Sequence, residues 1–195
     1  MIKWIKIIWK WFCFLYELFL NERELDKDNV IPFPKEKLEV KDRHIDEFNM
    51  NYDPTTDTYW WQKGKTYKLS DNFSTYEFEC PCDTPGCKTQ IIKKELVDKL
   101  QTFRDRLGEP IRINSAYRCG AYQAKLQKRG YKTAKKSQHL EGAAVDIMPS
   151  RNNGDHNKRL RTFIAIAESL FKAIGYAQNW LHVDLRKDRN RKWYY

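Results

Sequence analysis

The sequence predicts an α+β domain. Apolar positions recur at helical spacing over residues 91–107 and again from about 157 to 174. Short apolar or alternating runs stand at 110–118, 142–148 and 180–186. Helices standing apart from short strands in this way point to α+β packing. The chain has 195 residues, enough for one domain of ordinary size with extra segments.

The orderly part begins near Tyr67. "LSDNFSTYEFEC" reads as a turn-rich start followed by a short helix. Ile92, Leu96, Leu100, Phe103 and Leu107 form the apolar face of a helix that ends at Gly108. "PIRINSAYR" alternates as a strand, with Ile111 and Ile113 on one face. Gly120 and Gly130 bound a short helix, and "GAAVDIM" reads as a buried strand. Asp155 is placed to cap the next helix, which Gly175 would end. "WLHVDLR" is the expected final strand.

Residues 1–20, "MIKWIKIIWKWFCFLYELFL", form an apolar N-terminal segment. On a helix, Lys3, Lys6, Lys10 and Glu17 fall on one narrow stripe, and Trp, Ile, Phe and Leu cover the rest. "FLYELFLNEREL" lacks the small-residue site a cleaved signal peptide needs. The lysines interrupt the run of about 20 apolar residues that a spanning helix requires. The mixture of Lys, Trp and Phe favours membrane contact through residues 2–20 over packing on the protein's own surface. Spanning and interfacial placements both stay open. Residues 21–66 lose the periodicity, and Pro32, Pro34 and Pro54 argue against long helices there. They read as a linker or wrapping arm, with "YWW" at 59–61 as its anchor on the domain of residues 67–195.

Lys plus Arg number 36 against 26 Asp plus Glu, a net charge of +10. Such a balance favours anionic partners: nucleic acid, acidic lipid or cell-wall polymer. The basic runs "KLQKRGYKTAKK" and "RKDRNRKWYY" read as solvated surface, so no nucleic-acid partner is expected. Of five cysteines, Cys80, Cys82, Cys87 and Cys119 lie in the ordered part. They are compatible with disulfides, with a structural zinc held by four thiolates, or with free thiols.

The last strand gathers chemistry. Alternation puts Trp180, His182, Asp184 and Arg186 on one face and Leu181, Val183 and Leu185 on the other. The alternative reading of the first face is an exposed polar surface with an ordinary ion pair. In "SQHLEGAAVDI", Asp146 sits among small apolar residues, and a buried carboxylate needs a cation, hydrogen bonds or a metal. His139, Asp146 and His182 make three ligands, the number a catalytic zinc takes while keeping one position open.

"INSAYR", "SQHLEGAAVDI" and "WLHVDLR", in that order, resemble the zinc D-Ala-D-Ala carboxypeptidase family. The closest likeness is to its murein-peptidase branch, found in bacteria and in many phages. The family pattern Ser-x-His-x-x-Gly-x-Ala-x-Asp is filled by Ser137, His139, Gly142, Ala144 and Asp146. The likeness runs roughly from Tyr67 to Arg186 and leaves residues 1–66 uncovered. It implies the hedgehog/D-Ala-D-Ala peptidase fold, a small antiparallel sheet with packed helices, and a zinc peptidase acting on peptidoglycan peptides at the cell wall. His139, Asp146 and His182 would bind one catalytic zinc. Arg118 would bind substrate, with Ser115, Tyr117 and Ser137 lining the same site.

One position departs from the family. Many relatives place a carboxylate three residues before the last zinc histidine, where this chain has Asn179, which cannot take a proton. Asp184 is the available replacement, either as general base or as the partner that orients His182. Glu141 is a second candidate, though its place in a turn favours a surface role.

Overall fold

The structure, a computed structural model, describes residues 50–131, 133–134, 136–150, 156–187 and 190–195; the side chains of 156–158 are not described. The apolar N-terminal segment, most of the expected arm and the Asp155 cap lie outside these residues. The described residues form an α+β structure with two sheets. No helix among them is long and apolar enough to cross a membrane.

The first sheet is antiparallel: β1 (Asn51–Asp53), β2 (Thr58–Gln62) and β3 (Thr89–Lys93), in that order. Residues 51–62, expected in the arm, thus form a hairpin paired to the domain. "DPTT" is its turn, in which Asp53 accepts hydrogen bonds from the Thr55 amide at 2.9 Å and the Thr56 hydroxyl at 2.7 Å. Within "YWW", Trp61 is buried in the core and Trp60 is exposed.

Helix α1 (Lys94–Leu107) follows β3 directly. Ile91 and Ile92, read from sequence as the helix's first turn, belong to the strand instead. Lys93 supplies no capping side chain, so the hairpin does: Asp57 Oδ2 accepts the Glu95 amide at 3.0 Å. Leu96, Val97, Leu100 and Phe103 are buried on one face, and the helix ends at Gly108, whose φ is +70°.

The second sheet has five strands in the order β4 (Ile111–Ser115), β5 (Ala144–Pro149), β7 (Leu181–Asp184), β6 (Ala173–Tyr176) and β8 (Arg191–Tyr194). Helix α2 (Gly120–Lys128) lies between β4 and β5 in the chain, and α3 (His156–Leu170) between β5 and β6. The sheet is mixed rather than antiparallel, because β8 pairs parallel to β6. Two further differences from the sequence reading share one cause. The expected helix to residue 174 stops at Leu170, and Gly175 lies inside β6 rather than ending a helix. "AIGY" is too short for its periodicity to be told from the helix before it.

Val145, Ile147, Ile174, Leu181 and Val183 turn one face of this sheet into the core, together with residues from α1 and α3. Phe103 of α1 meets Phe163 of α3 edge-on, with centroids 4.7 Å apart. The opposite face carries polar residues that are also buried, so β5 and β7 are covered on both sides. Across that face the register aligns Ser115 with Asp146, Asp146 with His182, His182 with Gly175, and Gly175 with Trp193. One row of five strands therefore delivers the candidate site.

Candidate metal centre

His139 stands on a 3-10 turn, Gln138–Glu141, that ends at Gly142 with φ +62°. A β-carbon on Gly142 would lie 2.8 Å from the Ile91 carbonyl oxygen, so the glycine lets the turn close against β3. The turn is tied to the strand end twice. The Arg118 amide donates to the His139 carbonyl at 3.1 Å, and His139 Nδ1 donates to the Ala116 carbonyl at 2.6 Å. That second bond fixes the tautomer: Nδ1 carries the proton, and the lone pair lies on Nε2. Burial lowers the His139 pKa to about 4, so the ring is neutral near neutral pH.

The Nε2 atom of His139 lies 3.1 Å from His182 Nδ1 and 3.3 Å from Asp146 Oδ1. Asp146 Oδ1 is also 2.8 Å from His182 Nδ1. The other carboxylate oxygen of Asp146 accepts a hydrogen bond from the Arg118 guanidinium, whose Nε donates to Ser115 Oγ at 2.9 Å. Burial pushes the Asp146 carboxyl up, but His139, Arg118 and the histidine hydrogen bonds outweigh it and hold it well below the usual carboxylate range.

His182 faces the cluster with Nδ1 and faces Asp184 with Nε2, 3.2 Å from Oδ2. Burial alone would lower its pKa, yet the two carboxylates raise it. The pocket thus favours positive charge. Asp184 is buried and receives the Arg186 amide at 2.9 Å and Arg186 Nε at 3.0 Å. Its carboxyl sits far below the ordinary range: the hydrogen bonds of His182 and Arg186 overcome the cost of burial.

This donor set fits a zinc ion. His139 Nε2, His182 Nδ1 and one Asp146 oxygen lie within 4.8 Å of one another, all on buried residues. Each histidine has its remote nitrogen committed, one to a carbonyl and one to a carboxylate, the arrangement that orients imidazole ligands. Two nitrogens and one oxygen match a three-ligand zinc centre.

The other sequence-singled residues are placed as follows. Arg118 and Ser115 join the cluster. Ser137 is buried at the start of the His139 turn, where its side chain makes no capping bond. Tyr117 packs against Cys80, Cys82 and Cys87. Glu141 and Asn179 are exposed. Sequence reasoning missed Trp193 and Tyr195. The Trp193 ring lies 5.4 Å from His182, with the Arg186 guanidinium 5.5 Å from it. The Tyr195 residue is 49% exposed, yet its phenol is pushed up to about 12 by desolvation on its inner side and by the Asp146 carboxylate nearby. Gly175 leaves the space they fill, since a β-carbon there would lie 2.6 Å from both rings. The alternation of "RKWYY" was the available signal, hidden in a basic run.

Fold and site together define an α+β protein with a candidate His–Asp–His metal centre. The chain belongs to the Peptidase M15 family, whose model matches residues 71–184. It is thereby a member of the zinc metallopeptidases related to D-Ala-D-Ala carboxypeptidases. No curated protein matches the chain.

Proposed function

We propose that this protein is a zinc peptidase that hydrolyses peptide bonds in peptidoglycan stem peptides or cross-links. The convergence of His139 Nε2, His182 Nδ1 and Asp146 Oδ1, with separations of 2.8–3.3 Å, carries this reading. A zinc ion held there would supply Lewis acidity for hydrolysis.

The chain's own residues do the rest. Ala116 and Asp184 hold the two imidazoles in the tautomers that turn lone pairs inward. Arg118, with Nε on Ser115 and one terminal nitrogen on Asp146, would offer its remaining N–H donors to a peptide carboxylate or a polarised carbonyl. Trp193 and Tyr195 wall the site on the β8 side and narrow the approach of water. The net charge of +10 suits a substrate rich in carboxylates. The location that fits this substrate is the cell wall of a bacterium, with the protein encoded by the bacterium or a phage and residues 2–20 against the membrane. The lysine-striped apolar sequence there supports that placement.

The geometry of Asp184 favours its role as the partner of His182 over that of general base. Its oxygens are taken by His182 and Arg186, and a carboxylate so strongly stabilised is a weak base. With Asn179 exposed in the acid's usual place, a second reading follows: a zinc-containing wall-binding module of the same fold. Mass spectrometry of defined muropeptides, incubated with zinc-loaded protein, separates the two. New peptide fragments support the peptidase. Affinity for muropeptides without product supports the module.

A further inference from the structure

We infer that Cys80, Cys82, Cys87 and Cys119 form a second metal site, a closed four-thiolate zinc centre that fixes the loop carrying Arg118. Their sulfur atoms all lie within 4.8 Å of one another, and Cys80, Cys82 and Cys87 are buried. Zinc–sulfur bonds of about 2.3 Å in a tetrahedron place sulfurs about 3.8 Å apart. The Cys82–Cys119 sulfur separation of 3.4 Å approaches this and lies far above the disulfide length of about 2.05 Å.

N–H donors point at the sulfurs. The Cys119 amide donates to Cys80 Sγ at 3.3 Å, and the Tyr122 amide donates to Cys119 Sγ at 3.4 Å. Gln90, itself fully buried, donates through Nε2 to Cys87 Sγ at 3.4 Å and to the Cys87 carbonyl at 3.1 Å. Its Oε1 accepts the Cys80 amide at 2.7 Å. One buried amide thus holds both ends of the 80–87 loop. Burial alone pushes the Cys80 and Cys87 thiols up, so in this apolar pocket the four sulfurs become charged together only around a divalent cation, the form that the N–H donors aimed at sulfur also favour. Borderline-soft zinc suits an all-sulfur tetrahedron, and each thiol gives up its proton as the metal binds.

The site has no open position, so its role is structural. It joins segments far apart in the chain: Cys80 to Cys87 before β3, and Cys119 at the N-cap of α2. Cys119 directly follows Arg118, the cation on Asp146. The four-sulfur centre therefore positions Arg118 from outside the His–Asp–His cluster.

The test needs no catalysis. Full-length protein, prepared under reducing conditions, is analysed for metal content and then reconstituted with cobalt. The expected result is two equivalents of zinc, and intense thiolate-to-cobalt charge-transfer bands. Cys82→Ser loses one equivalent and those bands, whereas His139→Ala loses the other equivalent and keeps them. A thiol-blocking mercurial should release one equivalent from the unmutated chain, which covers the case of a serine variant that does not fold. One equivalent of zinc without charge-transfer bands overturns the proposal, as does mass spectrometry of protein isolated without reductant that shows the four cysteines joined in disulfides.

Discussion

His182 directs its Nε2 at Asp184, two residues further along the same strand, at 3.2 Å. In a regular strand, side chains two residues apart share a face, so β7 supplies both the ligand and the group that orients it. Asp184→Asn keeps the shape and removes the charge. Zinc affinity is expected to fall about 10–100-fold, the usual cost of losing such a partner. Competition with a chromophoric chelator measures it. A variant with unchanged zinc affinity and abolished hydrolysis would make Asp184 the base instead.

Arg118 supplies a cation to a buried carboxylate, and the pair is buried on both sides. Arg118→Ala leaves Asp146 without that partner. Breaking a buried pair in this way costs about 3–5 kcal/mol, so the metal-free protein should unfold at markedly lower denaturant concentration. Arg118→Lys keeps the charge and loses the fork. It should recover much of the stability and little of the substrate binding.

Two glycines with similar backbone angles separate strain from crowding. Gly108 has φ +70° and open space around its absent β-carbon, while Gly142 has φ +62° and the β3 backbone against it. Gly108→Ala should cost about 1–2 kcal/mol, the left-handed penalty alone. Gly142→Ala should cost clearly more and lower zinc content, because the His139 turn must move off β3. Equal unfolding midpoints for the two variants would contradict this.

Trp193 stands between His182 and Arg186 with no ligand atom of its own. Trp193→Ala should leave zinc content intact and weaken muropeptide binding about 2- to 10-fold, matching about 0.5–1.5 kcal/mol for an aromatic contact. Steady-state kinetics would show the loss mainly in KM.

The catalytic-type cluster was legible because its residues break local rules: an aspartate inside an apolar strand and a histidine alternating with Leu181 and Val183. Those violations are visible without knowing what packs where. Cys80, Cys82, Cys87 and Cys119 were legible as a set that disulfides, a four-thiolate zinc or free thiols would all suit, since the loop that gathers the sulfurs depends on Gln90, an unremarked strand residue. Short strands were the hardest to see. β1, β6 and β8 have three or four residues each, less than the length over which alternation can be told from chance. The parallel pairing of β8 with β6 depends on tertiary packing, and with it went Trp193 and Tyr195. The role of Asp184 also needed coordinates, because only the bonds of Arg186 show that its oxygens are occupied.

The central claim is that His139, Asp146 and His182 hold a zinc ion on which peptidoglycan hydrolysis depends. The most direct measurement follows muropeptide cleavage by mass spectrometry in three samples: zinc-loaded protein, chelator-stripped protein and zinc-loaded His139→Ala. The account predicts cleavage in the first, none in the second until zinc is restored, and none in the third. Full cleavage by His139→Ala, or by the stripped protein, would contradict it.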